Sequence, residues 1–146
     1  MNKTLLAVAV AALALLALAP AAMPGESATP TLTAKSSSYG RVLFDGRGYV
    51  LYAFTRDTKG RSACYGACAK AWPVYFAKGV LTAGRGVKRS LLGTTKRRDG
   101  RRQVTYAGRP LYYYVGDRRP GQILCQNVSE FGGKWLVVRP GGALVR

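Results

Sequence analysis

Histidine is absent from this 146-residue chain, and only six of its residues are acidic. Without an imidazole, serine and cysteine triads that rely on a histidine base are excluded. Any metal would depend on carboxylates and thiols alone. Cysteine occurs three times, too few for a dense disulfide framework and an odd number for an exported protein. The glycine-rich segment "GVKRSLLGTTKRRDGRR", Gly86 to Arg102, lacks the spacing of a nucleotide-binding phosphate loop. The only extended apolar run is Thr4–Ala19, 16 residues long, and a spanning helix needs about 20. What is abundant instead is positive charge, with 23 Lys and Arg for a formal net charge of +17. Charge of this size favours anionic partners and says nothing about fold.

The apolar run follows Met1-Asn2-Lys3 and ends in small residues, with Ala19 and Ala21 spaced as in a signal-peptidase site. Residues 1–21 are therefore expected to be a cleaved secretory signal. No cysteine stands near the cut to accept a lipid, so the exported chain should be secreted or held in the cell envelope without a lipid anchor or transmembrane segment. Residues 22–38, "AMPGESATPTLTAKSSS", are rich in Pro, Ser, Thr and Ala. They have little to bury and are expected to be a disordered leader. From Tyr39 onward, short runs such as "RVLFDGRGYVLYAFTRD", "WPVYFA", "RQVTYAGRPLYYYVGD" and "KWLVV" alternate with Gly, Pro and Asp. Such runs predict antiparallel strands and hairpins. The exception is "ACYGACAKAWP", whose alanines and terminal proline predict a short helix near residues 64–71.

The chain also repeats itself. "LYAFTRD", Leu51–Asp57, and "LYYYVGD", Leu111–Asp117, align as Leu-Tyr-x-aromatic-x-x-Asp. Gly46-Arg47 precedes the first copy as Gly108-Arg109 precedes the second, and each copy is followed by a cysteine and a tryptophan: Cys64 and Trp72, then Cys125 and Trp135. The doubled motif, "CYGACAKAWP" after the first copy and "FGGKWLVVRPGG" after the second resemble the bacterial family described as a secreted repeat of unknown function. That resemblance implies an exported, repeat-built envelope domain and no known activity. The expected fold is mainly β: two pseudo-repeated antiparallel hairpin units, about 39–84 and 100–146, packed into one small domain over 39–146 and joined by a basic connector.

Strand geometry sorts the motif residues, because successive side chains face opposite ways. Tyr52 with Phe54, and Tyr112 with Tyr114, should form an aromatic core face between the two halves. Tyr113, whose counterpart is Ala53, should be the exposed one. Asp57 and Asp117 end their strands before turns and are expected to accept backbone N–H groups two residues on. The competing reading is a carboxylate pair for hydrolysis. The thiols suggest one disulfide and one free cysteine, with Cys64–Cys68 first in line and Cys64–Cys125 or Cys68–Cys125 as alternatives. A cysteine-based redox or metal-handling role is the second functional reading.

The densest positive segment supplies Lys96, Arg97, Arg98, Arg101 and Arg102 as candidate contacts to an anionic cell-wall polymer, nucleic acid or an acidic membrane surface. No catalytic residue, metal or cofactor is assigned.

Overall fold

The computed structural model describes residues 31–146. The signal segment at 1–21 and the first part of the leader, through residue 30, lie outside the described residues. The rest of the leader is a strand: β1, Leu32–Ser37, pairs antiparallel with β2, Gly40–Asp45. Its burial alternates, with Leu32 and Ala34 inside and Lys35 exposed. Two apolar residues at a two-residue spacing suffice for a strand that has a partner edge to join. The folded part accordingly reaches back beyond Tyr39.

β3, Tyr52–Phe54, carries the first aromatic motif, and α1, Ala67–Ala71, is the single described α-helix, inside the range expected from the alanine-rich stretch. β4, Leu92–Lys96, and β5, Arg102–Tyr106, form a second hairpin, continued by the two-residue β6, Arg109–Pro110. β7, Val128–Glu130, and β8, Gly133–Val137, form a third. The three small sheets are β1–β2, β3–β8–β7 and β4–β5–β6, antiparallel throughout. The fold is mainly β, as the punctuated runs predict. The basic segment, however, is the β4–β5 hairpin of the second repeat rather than a connector, and β4 corresponds to β1.

The two repeats exchange the extended segments that carry or follow their tryptophans. In the first repeat, the segment after Trp72 leaves its own half. Tyr75 N–H donates to Leu111 O at 3.1 Å, Val104 N–H to Tyr75 O at 2.9 Å, and Ala77 N–H to Arg102 O at 2.9 Å. In the second repeat, β8 pairs with β3, matching Tyr52 to Val137 and Phe54 to Trp135, and Leu43 N–H donates to Val138 O at 2.9 Å. Each half therefore completes the backbone hydrogen bonding of the other, which a strand edge requires before it can be buried.

Strands buried on both faces divide their residues between two cores. Val42, Phe44, Val50, Tyr52, Phe54 and Tyr112 pack with Trp72 and Trp135 in one. Their neighbours Leu43, Leu51, Ala53 and Leu111 pack with Val104 and Tyr106 in the other. The Leu-Tyr of each motif thus feeds both cores at once, which is the period-two alternation applied to a strand with no solvent face.

A candidate site built on the repeat motif and the basic hairpin

The aromatic face lies where the alternation predicts it. Trp72 and Trp135 stack at 3.9 Å between ring centroids and 3° between planes, and Phe54 stacks on the far side of Trp135 at 4.2 Å. Tyr114 leans on Trp72 at 4.9 Å, and Tyr52 and Tyr112 meet Trp72 and Trp135 edge-on at 5.2 Å each. Both indole N–H groups end on Glu130: Trp72 Nε1 donates to its carboxylate at 2.8 Å, Trp135 Nε1 to its backbone oxygen at 3.3 Å. Aromatic pairs of this kind each add about 0.5–1.5 kcal/mol beyond area burial. Tyr52, Phe54 and Tyr112 are buried and Tyr114 is half-buried against them. Tyr113 departs from expectation. It is half-buried, and its hydroxyl donates to Asp45 at 2.9 Å, tying the second repeat to the end of β2.

Asp57 and Asp117 hold the two repeats together. Tyr52 donates its hydroxyl to Asp117 Oδ2 at 2.7 Å, and Tyr112 donates to Asp57 Oδ2 at 2.8 Å. Each tyrosine thus reaches the aspartate of the other repeat. Tyr52 and Tyr112 also exchange backbone N–H···O bonds at 2.9 Å in both directions. The remaining carboxylate oxygens accept backbone N–H groups, Ala63 N–H on Asp57 at 2.7 Å and Leu124 N–H on Asp117 at 3.0 Å. Those donors lie six and seven residues on, not two, and each immediately precedes a cysteine. The turn chemistry is therefore right in kind and longer in reach than expected. Both oxygens of each carboxylate are thereby hydrogen-bonded within the fold.

Burial sets the electrostatics of this clamp. It pushes the Asp57 carboxyl up to about 6, against the Ala63 N–H, the Tyr112 hydroxyl and the charge of Arg97, which pull it down. Asp117 is raised for the same reason, opposed by Tyr52 and Leu124 N–H. Burial first, and the facing carboxylate with it, holds the Tyr52 and Tyr112 hydroxyls well above the ordinary phenol range, so both remain donors.

Of the thiols, Cys64 and Cys68 form a disulfide with Cα atoms 5.3 Å apart, and Cys125 is free and half-buried. Burial raises the Cys125 thiol above its ordinary value. With two of three sulfurs bonded to each other, a three-thiolate metal site is not available to this state of the chain.

The basic hairpin divides into inside and outside. Arg97 is only 6% exposed, a correction to its reading as a surface contact for polymer: it directly follows β4, its N–H still bonded across the hairpin to Arg101 O, and it points inward while Lys96 and Arg98 remain outside. Its Nη1 donates to Ser62 Oγ at 2.7 Å and Gln103 Oε1 at 2.8 Å, and its Nη2 to Cys64 O at 2.6 Å. Among the exposed members, Arg98 stacks on Tyr65 at 3.7 Å to the centroid and Arg101 on Phe76 at 3.9 Å. Arg101 also pairs with Asp99 at 2.7 Å, and Arg102 hydrogen-bonds Thr94 at 2.5 Å. Gly100, at φ 83°, closes the turn in a backbone region open to glycine, with Gly100 N–H on Arg97 O.

The pattern of one protein family, described as a secreted repeat of unknown function, matches residues 33–75 and again 93–139. The two matches begin 60 residues apart, at β1 and at β4, so the hairpins are part of the repeat. No curated protein and no solved structure matches the chain. No helix among the described residues is long and apolar enough to cross a membrane.

Proposed function

This chain belongs to the family of secreted repeats of unknown function, and from that premise we propose that it is an exported, non-catalytic repeat domain whose cationic surface binds anionic polymers. One observation carries the reading: each described carboxylate is spent on a partner within the molecule. All Lys and Arg residues but Lys3, and all acidic residues but Glu26, lie in the described part. Asp45 and Asp99 make the only ion pairs among the described residues, with Arg47 and Arg101. Asp57 and Asp117 face tyrosines, and Glu130 faces an indole. Apart from Arg47 and Arg101, the surface cations are thus left without fixed counter-charges. Spread over a small domain, they create a field that attracts phosphate-bearing cell-wall polymers, nucleic acid or acidic membrane surfaces.

Export fits the same reading. A mature chain starting near Ala22, without lipid, presents this surface to wall or envelope polymers.

Counterion release supplies the test. Each cation that neutralises a phosphate makes log affinity fall with log salt by roughly one more unit. Binding of duplex DNA and of a glycerol-phosphate polymer is measured across a salt series for the wild type and for a variant with Lys96, Arg98, Arg101 and Arg102 changed to Gln. The variant should lose about 2–4 units of slope and keep its fold. Equal slopes would place the contact on another face, and no wild-type binding at low salt would reduce the charge to a device for solubility.

A further inference from the structure

Arg97 is a buried cation that makes no ion pair among the described residues. Charged side chains that are almost fully buried are ordinarily paired with opposite charge, since desolvating a lone ion is costly. The three oxygens that Arg97 reaches, on Ser62, Gln103 and the Cys64 carbonyl, are all neutral. Its Nε–H is buried and has no acceptor among the described residues. Asp57 and Asp99 both feel its charge, but neither accepts a hydrogen bond from it: Asp57 is committed to Ala63 N–H and the Tyr112 hydroxyl, and Asp99 to Arg101.

The surroundings add charge of the same sign. Arg97 and Arg98 both lie against the ring of Tyr65, at 4.2 and 3.7 Å from its centroid. Two guanidinium groups of like charge thus share one ring. Arg61, Ser62, Tyr65, Lys96 and Arg98 surround Arg97 in an open depression of about 570 Å³ with no acidic residue in its lining.

We infer that this depression is a specific site for one phosphate-class oxyanion. Arg97 supplies fixed charge at its floor, and Arg61, Lys96 and Arg98 close on the anion from the rim. Guanidinium forks match carboxylate and phosphate alike, but several cations closing from different sides can each meet an oxygen only on a group with three or four of them. An anion held there neutralises the excess charge that the fold itself leaves uncompensated. The inference rests on the polymer-binding reading, and identifies the phosphate group as the unit gripped and this depression as the place that grips it.

The test follows the arginine side-chain N–H signals of the intact folded protein by nitrogen NMR. Inorganic phosphate is added at constant ionic strength, and then a glycerol-phosphate polymer. The expected result is a saturable shift of the Arg97 Nε–H signal with inorganic phosphate, and competition between phosphate and polymer. The triple variant R61Q/K96Q/R98Q changes only exposed side chains, and its near-ultraviolet circular dichroism should match the wild type. Phosphate should bind it at least about tenfold more weakly, the equivalent of 1.4 kcal/mol.

Phosphate affinity unchanged in the triple variant, or a shift that never saturates and spreads evenly over all arginines, overturns the site. An unmoved Arg97 signal while polymer still binds also overturns it and leaves the polymer reading standing on another face. Saturation by phosphate without any polymer binding keeps the site and removes the polymer.

Discussion

Replacing Tyr52 by Phe probes the clamp between repeats with the smallest available change. The substitution removes one hydroxyl from a fully buried ring and leaves the packing against Trp72 intact. Asp117 then keeps the Leu124 N–H on one oxygen and loses the 2.7 Å donor on the other. A hydrogen bond to a charged group contributes about 1.5–3 kcal/mol, and the stranded carboxylate is largely shielded from water. At about 4 °C per kcal/mol for a domain near this size, the melting temperature should fall by about 6–12 °C. Y112F should cost a similar amount, since it strips Asp57 of the equivalent donor. Acid supplies an internal control. A protonated, neutral aspartic acid makes an ordinary hydrogen bond of about 1 kcal/mol, so the cost of Y52F should shrink from about pH 8 to about pH 4. Urea unfolding followed by near-ultraviolet circular dichroism, which reports the stacked indoles, measures both. A cost below about 0.5 kcal/mol, or one that does not change with pH, would refute the clamp as a charged hydrogen bond.

Stability should rise on mild acidification. The Asp57 carboxyl titrates near 6 when folded against 3.8 otherwise, so the folded state holds a proton that the unfolded chain has released. That contribution is complete below the unfolded value and is lost as pH rises through about 6, a change of roughly 2–3 kcal/mol that urea melts would detect and that D57N should flatten. Asp117 acts in the same direction. Non-reducing peptide mapping should recover Cys64 joined to Cys68 and Cys125 as a single alkylatable thiol; a bridge to Cys125 would contradict the structure. The intact mass of the exported protein should correspond to a chain beginning near Ala22 with no added lipid, and an acylated or full-length product would remove the secreted reading.

How far such features could be read beforehand depended on whether they are local. The aromatic face was legible because Tyr52/Phe54 and Tyr112/Tyr114 repeat at one offset and alternate at period two. The helix at Ala67–Ala71 was legible from alanines and a proline stop. Two neighbouring arginines, 97 and 98, look alike in a run of positive charge, and only the hairpin's pleat sends one inward. Likewise β1 was hidden, although its hairpin with β2 is local, because Leu32 and Ala34 are its only buried apolar residues and the rest of the strand is Thr, Lys and Ser. The tyrosine–aspartate exchange escaped for a third reason. Motif spacing relates residues within a copy, whereas these bonds run between copies, across 65 and 55 positions.

The exchanged strands also determine what a single repeat could do. A lone copy has a hairpin, a motif strand and a tryptophan strand, but the place its tryptophan strand fills lies on another copy. It would expose an open acceptor edge at one side and a homeless strand at the other. Two such copies can satisfy each other in a closed, two-fold pair, and this chain amounts to that pair joined through the segment between Ala77 and Leu92. The join matters kinetically. Tethering keeps the two halves at high effective concentration, so closure within one molecule outruns closure with a neighbour. If the halves part, the same edges can be met by a second molecule, and the first products of misfolding should be domain-swapped dimers built from native strand pairings.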